Sequence, residues 1–312
     1  MTQLLTSQDG TAASALAFGC MQFGDTADMQ AAEEMFDACR TVGITHFDTA
    51  YGYAEGRSEQ MLGKLAKADR EKLIIASKVA YSGGAGRRNI LQQFDETRAR
   101  LGMDMVDVLY LHRYDPDTDL AETIDTFAEL QEMGLIRYIG LSNFAAWQVM
   151  KAQSAAAVLG TRVDILQPMY SLVKRQAEVE ILPMCMDQGI SVAPYSPLGA
   201  GLLTGKYANG ATSGRLISDE RYASRYGVGW MHSTAEDIVE LARDFGTAPA
   251  TLAVAWAMSH PARPMPIISA RNVEQLRPSL DALNFKMTPE IRHRVSAISV
   301  SPAPATDRIE EL

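Results

Sequence analysis

Cysteine is scarce in this chain. Cys20, Cys39 and Cys185 are the three thiols in 312 residues, and their wide spacing and odd number give neither a disulfide framework nor metal-ligand spacing. All three read as reduced, buried groups. Histidine is nearly as rare, five in all, and no two stand at the helical spacing of a zinc pair, so no metal is expected. Basic charge is also short: 29 Lys and Arg face 38 Asp and Glu, a formal charge of -9. With no basic block, nucleic acid and anionic membrane surfaces are poor candidates as partners. No apolar run approaches the about 18 residues that span a bilayer, and the N-terminus has no basic region followed by a long apolar core. A cytoplasmic protein is therefore expected. Repeats, low-complexity tracts and linkers are missing too, which makes residues 1–312 a single domain in expectation. Gly19-Cys20-Met21-Gln22-Phe23-Gly24 does not fit G-x-G-x-x-G, which counts against a doubly wound dinucleotide fold.

What is present is alternation. Hydrophobic residues make up 47 % of the chain, enough for a substantial core. Short apolar runs predict strands near residues 16–21, 44–47, 73–78, 106–112, 136–141, 163–166, 190–195 and 265–269. Helical spacing between them predicts helices over 30–40, after a Ser58 cap, over 88–101, 121–133, 144–157 and 177–188, and again from a Thr234 cap. Thr288-Pro289-Glu290 opens a last helix with a cap and a proline at its first position. Eight strands alternating with helices in this length fit an α/β (β/α)8 TIM barrel with parallel strands. The stretch from Tyr207 to Ser233, with Arg221, Tyr222, Arg225, Tyr226 and Trp230, shows no sustained periodicity and reads as a long βα loop serving as a lid.

Chemistry in such a barrel gathers where the strands end. Asp48 closes the second strand, Lys78 the third and His112 the fourth, and Tyr53 follows Asp48 by five residues. Taken singly, Asp48 reads as a strand-end carboxylate, Lys78 as a lysine reaching to solvent and His112 as a satisfied core histidine. Together they complement one another. Asp48 compensates a half-buried Lys78, Lys78 favours the phenolate of Tyr53, and His112 can donate a hydrogen bond to a carbonyl oxygen. Tyr53 then suits a proton donor.

From Leu16 to about Leu283 the chain resembles the aldo-keto reductases. The resemblance rests on Asp48 with Tyr53, Ser77-Lys78, Leu111-His112, Gly140-Leu141-Ser142-Asn143-Phe144, Gln167, and Tyr195-Ser196-Pro197-Leu198-Gly199. It implies an NAD(P)H-dependent oxidoreductase reducing an aldehyde or ketone, with Tyr53 as general acid, Lys78 and Asp48 tuning it, and His112 positioning the carbonyl. Ser142, Asn143 and Gln167 would bind the nicotinamide carboxamide, and Tyr195 would stack on the ring. Gly19, Cys20 and Met21 would border the cofactor. Ser196, Pro197, Leu198, Gly199, Gly201 and Lys206 would meet the pyrophosphate. Ser269, Ala270, Arg271 and Gln275 would meet the adenosine phosphate, and Arg271 suits a 2′-phosphate and so NADPH. Pro278-Ser279 departs from the Glu-Asn that members often carry there, which bears on adenine contacts. For the substrate pocket the candidates are Phe23, Tyr51, Tyr53, Tyr81, His112, Trp147, Tyr170 and Trp230. No carboxylate-binding arginine cluster is evident, so a broad carbonyl pocket is expected. Two alternatives remain open: an NADPH-bound regulatory or redox-sensing protein, as potassium-channel β subunits show is compatible with the fold, and a barrel isomerase or lyase without nicotinamide.

Overall fold

The structure, a computed structural model, describes residues 5–207, 214–306, 308 and 310. Eight parallel strands form the sheet: β1 (Ala17–Gly19), β2 (His46–Asp48), β3 (Ile74–Val79), β4 (Val106–Leu111), β5 (Ile136–Ser142), β6 (Ile165–Gln167), β7 (Ser191–Val192) and β8 (Ile267–Ile268). Sequential strands are neighbours, and β8 also pairs with β1. The ring closes between β7 and β8, where Met265 N–H donates to Val192 O at 2.8 Å and Ile267 N–H to Pro194 O at 2.8 Å. The result is the (β/α)8 barrel that the alternation predicts. β7 is shorter than expected because Pro168 and Pro194 carry no N–H, and pairing there continues only as isolated bridges from Tyr195 to Met169 and Ile267.

Period two along the strands sorts their side chains. Ile74, Ala76, Val108 and Tyr110 turn into the barrel, while Ile75, Val79, Leu109 and Leu111 face the helices. Inside, Gly140 gives Tyr110 its room, since a Cβ there would stand 2.4 Å from the Tyr110 ring. Leu5 joins the interior cluster, held by Thr6 N–H donating to the Tyr138 hydroxyl at 3.1 Å. The polar N-terminal stretch thus covers the barrel floor.

The helices around it are α1 (Met29–Thr41), α2 (Arg57–Ala66), α3 (Arg87–Leu101), α4 (Leu120–Glu132), α5 (Ala146–Val158), α6 (Ile181–Gln188), α7 (Arg215–Ser218), α8 (Glu220–Tyr226), α9 (Gly229–Asp244), α10 (Pro249–Met258), α11 (Val273–Leu280) and α12 (Pro289–Ala297). Asp28 caps α1 by accepting from Ala31 N–H, and Thr288 caps α12 by accepting from Ile291 N–H. Other caps differ from expectation. Gly56, at φ 88°, precedes α2, and the Ser58 hydroxyl is instead buried, donating to Cys20 O at 2.8 Å and lying 2.8 Å from the Thr49 hydroxyl. Thr234 lies inside α9 and donates to Ile298 O at 2.8 Å. The three cysteines are free and buried.

Two departures have physical causes. The segment read as an irregular loop holds α7, α8 and the start of α9, while residues 208–213 of it lie outside the described residues. Asp219 caps α8, but a helix this short offers only Tyr226 as a fully buried contact, too little for a periodic signal. α10 is covered on all sides from Ala250 to Ala257, so it has no polar face to reveal it.

Candidate active site

Because Asp48 follows His46 by two positions on β2, and Lys78 follows Ile74 and Ala76 on β3, both charged side chains stand inside the barrel at its C-terminal end. Lys78 Nζ lies 2.5 Å from Asp48 Oδ1 and donates to Thr49 O at 2.7 Å. Side-chain exposure is 1 % for Lys78 and 4 % for Asp48. On the far side, Gln167 Nε2 donates to Asp48 Oδ2 at 3.0 Å. Each carboxylate oxygen therefore has a donor, which a buried ion pair requires. Burial works against the Lys78 charge, yet Asp48 and Tyr53 hold its pKa above the ordinary lysine value.

Tyr53 is presented by a tight loop. Tyr51 N–H donates to Lys78 O at 3.0 Å and Tyr53 N–H to Ala50 O at 3.1 Å, after which Ala54 (φ 48°), Glu55 (φ 56°) and Gly56 (φ 88°) run through left-handed backbone. Such conformations cost non-glycine residues roughly 1–3 kcal/mol each and concentrate at functional sites. Lys78 Nζ sits 4.8 Å from the Tyr53 ring centroid. Burial raises the Tyr53 pKa; Lys78 pulls it down and Asp48 pushes it up again, so the net displacement is upward. The lysine acts in the expected direction, but desolvation outweighs it. His112, just beyond β4, meets the Tyr53 ring edge-on at 5.9 Å. Burial, then Lys78 and Arg113, lower the His112 pKa to about 3. At neutral pH the imidazole is uncharged, with one nitrogen able to donate.

A polar strip borders this group. Ser142 Oγ donates to Gln167 O at 3.1 Å, Asn143 Nδ2 donates to Ser142 Oγ at 3.1 Å and to His112 O at 3.0 Å, and the Tyr195 hydroxyl donates to Asn143 Oδ1 at 2.7 Å. Asn143 and Ser196 are again left-handed, at φ 60° and 59°. Burial pushes the Tyr195 hydroxyl up to about 12, with Arg225 pulling the other way. The Asp48, Tyr53, Lys78 and His112 side chains, the amide strip and Tyr195 thus converge from β2 to β7 on one face of the barrel.

The sequence pattern of the Aldo/keto reductase family matches residues 15–299. The chain belongs to that family. Similar proteins include a probable voltage-gated potassium channel subunit beta of Oryza sativa subsp. japonica, 30 % identical over 96 % of this chain and 97 % of that protein. An oxidoreductase of Bacillus subtilis is 31 % identical over 95 % of both chains, and L-glyceraldehyde 3-phosphate reductase of Escherichia coli is 28 % identical over 89 % of this chain and 86 % of its own. The protein is thus an oxidoreductase of a family that acts on small-molecule carbonyl compounds with NAD(P)H. Among the described residues no helix is long and apolar enough to cross a membrane, and no cluster of His, Cys, Asp and Glu could hold a metal.

The remaining candidate residues of this aldo/keto reductase divide clearly. Gly19 pairs with Asp48 across β1 and β2, Cys20 is buried and Met21 is half-buried beside them. After β7, Pro197 and Gly199 are buried, Leu198 packs on the core, and Gly199, Ala200 and Gly201 follow one another at positive φ (54°, 56° and 90°). A Cβ at Gly201 would stand 2.7 Å from Lys206 Nζ. Glycine there leaves the ammonium room against the turn, a combination suited to an anion. After β8, Ser269, Arg271 and Gln275 are exposed around a buried Ala270, with Asn272 capping α11 through Gln275 N–H at 2.9 Å. Pro278 lies within α11, its carbonyl accepting from Thr251 Oγ1 at 2.6 Å, and Ser279 is buried.

Several aromatic candidates for the pocket are placed elsewhere. Phe23 is fully buried and packs on Phe18 at 5.6 Å. The Tyr51 hydroxyl turns outward and donates to Glu96 Oε2 at 2.9 Å. Tyr170 is a core residue whose ring lies tilted against Trp256, centroids 5.1 Å apart. Trp147 lies exposed against Tyr114, and Trp230 is half-buried against the helix-strand core, with no ring contact to the site among the described residues. Nearness to a βα loop in sequence does not say which way a ring turns. Tyr81 does reach the site, 4.9 Å from His112, and carries Arg113, which sequence reading passed over, 4.9 Å above its ring. Tyr222 of α8 adds a small upward push to the Tyr53 pKa, after burial, Lys78 and Asp48. The signal for Arg113 was its position directly after His112; Tyr222 had none beyond the aromatic content of its segment.

Proposed function

We propose that this aldo/keto reductase reduces an aldehyde or ketone with NADPH, Tyr53 delivering the proton. The observation that carries the reading is the convergence of Tyr53, Lys78, Asp48 and His112 at the ends of β2, β3 and β4. Bound NADPH supplies the hydride. The residues do the rest. With its pKa raised by burial, Tyr53 holds its proton at neutral pH, as a general acid must. Neutral His112 donates to the carbonyl oxygen and fixes its direction. As negative charge grows on that oxygen the Tyr53 proton crosses to it, and the resulting phenolate lies beside the Lys78 ammonium, whose own charge Asp48 compensates. In oxidation the same groups run in reverse.

Ser142, Asn143 and Gln167 suit a carboxamide, which offers both a donor and an acceptor. Gln167 Nε2 is already directed to Asp48, so its share in our reading includes holding that carboxylate. Tyr195 supplies a face for the nicotinamide ring. Ser196, Leu198 and Lys206 supply donors for a pyrophosphate, with Gly201, whose N–H is bonded to Leu198 O, leaving room beside Lys206, and Arg271 with Ser269 supply donors for a 2′-phosphate. Of the segment read as a lid, the described residues 214–233, which hold α7, α8 and the start of α9, cover this site in our reading.

The test is NADPH consumption against a panel of aromatic and aliphatic aldehydes, with Tyr53→Phe in parallel. Turnover should fall by roughly 10²–10⁴-fold while cofactor affinity stays close to that of the parent. Turnover unchanged in the variant would sink the assignment.

A further inference from the structure

Arg100 stands in the last turn of α3, outside the barrel and apart from the four residues named above, yet it grips the loop that carries Tyr53. Its Nη1 donates to Tyr51 O at 2.9 Å. Its guanidinium lies 4.4 Å from the Tyr51 ring centroid. Its stem covers Gly56, where a Cβ would come within 2.6 Å of Nε. One side chain therefore touches the loop on both sides of Tyr53.

The grip is itself anchored. Arg100 Nη1 reaches Glu59 Oε2 at 3.2 Å and Nη2 reaches Glu96 Oε2 at 3.1 Å, the same oxygen that accepts from the Tyr51 hydroxyl. Glu59 is fully buried, and its other oxygen accepts from Ser77 Oγ at 2.7 Å and Thr97 Oγ1 at 2.8 Å. Ser77 is the residue before Lys78. A single buried carboxylate thus ties α2, β3 and α3 together and sets the guanidinium that holds the loop. Ala54 and Glu55 occupy left-handed backbone that a free loop would leave, so their conformation must be imposed from outside. From within, Lys78 holds the start of the loop, donating from Nζ to Thr49 O and accepting at its carbonyl from Tyr51 N–H.

We propose that Arg100, oriented by Glu59, is a positioning residue for Tyr53: it fixes the Tyr51 to Gly56 loop so that the phenol stays against Lys78 and His112. The inference rests on the reading of Tyr53 as the proton donor. A reacting group displaced by about 1 Å can lose on the order of 100-fold in rate. Arg100→Met should therefore lower single-turnover NADPH oxidation by about 10–100-fold, with the KM for aldehyde and the affinity for NADPH changed far less. Arg100→Lys should recover part of the loss, since an ammonium reaches one of the acceptors.

The deciding measurement is a double-mutant cycle. If Arg100 acts through Tyr53, Tyr53→Phe with Arg100→Met reacts no more slowly than Tyr53→Phe alone. Losses that multiply in the double variant, or an Arg100→Met enzyme as fast as the parent, overturn the proposal while leaving Tyr53 in its role. A Tyr53→Phe enzyme that keeps full turnover removes both readings. Should Arg100→Met not fold, because Glu59 is left buried and unpaired, Glu59→Gln with Arg100→Met removes that charge and enters the cycle in its place, with the same outcomes expected.

Discussion

Replacing Lys78 by methionine separates what the buried ion pair does for stability from what it does for chemistry. The side chain is of similar length, so the change is mainly the loss of charge. Asp48 would remain 3 % exposed, with Gln167 Nε2 at 3.0 Å as its remaining side-chain donor, and Thr49 O would lose its ammonium. Breaking a buried pair by removing one partner costs about 3–5 kcal/mol. At about 2 °C per kcal/mol for a chain of this size, the melting temperature should fall by roughly 6–10 °C. Asp48→Asn with Lys78→Met leaves no charge at this pair and should recover most of the stability, while turnover stays lost in both variants. Thermal unfolding followed by circular dichroism and calorimetry reads all three proteins. A Lys78→Met protein that melts with the parent, or a double variant that melts below the single one, would refute the account of the pair.

Two further expectations follow from groups at the edges of the barrel. Arg271→Ala should weaken NADPH by about 1.5–3 kcal/mol, the range for a hydrogen bond to a charged group, and NADH by much less; equal losses, read by fluorescence titration, would exclude a 2′-phosphate contact. Asp164 is buried, which raises its pKa to about 6 against the opposing pull of Ile139 N–H and Arg162. A carboxyl raised in the folded state contributes stability that is present below its unfolded pKa of about 3.9 and lost as pH rises through the folded value. Asp164→Asn should therefore stabilise the protein above pH 6, by up to roughly 2–3 kcal/mol, and flatten the profile below it. Urea unfolding of both proteins at pH 4.5 and pH 7.5 tests this, and a variant with the parent's pH dependence would contradict it.

The amino-acid sequence by itself determined the alternation of strands and helices, and with it the barrel, because inward and outward residues on a strand alternate with period two and surface helices repeat with period 3.6. It also put Asp48, Lys78 and His112 at consecutive strand ends, since a polar residue closing an apolar run is visible locally. It could not reveal α10, whose surface is apolar all round, nor α8, which is too short to show a period. Nor could it orient single rings: Phe23 and Tyr170 joined the core and Tyr51 turned to Glu96, while Tyr81 joined His112, though all four stand near loops of the same kind. Only the tertiary structure decided which distant groups meet, because those distances depend on the closure of the whole ring. Gln167 reaches Asp48 across 119 positions, and Arg100 reaches Tyr51 across 49. The balance of burial against charge at Tyr53 belongs to the tertiary structure as well, since desolvation depends on everything packed around the phenol, and no neighbour in the chain reports it.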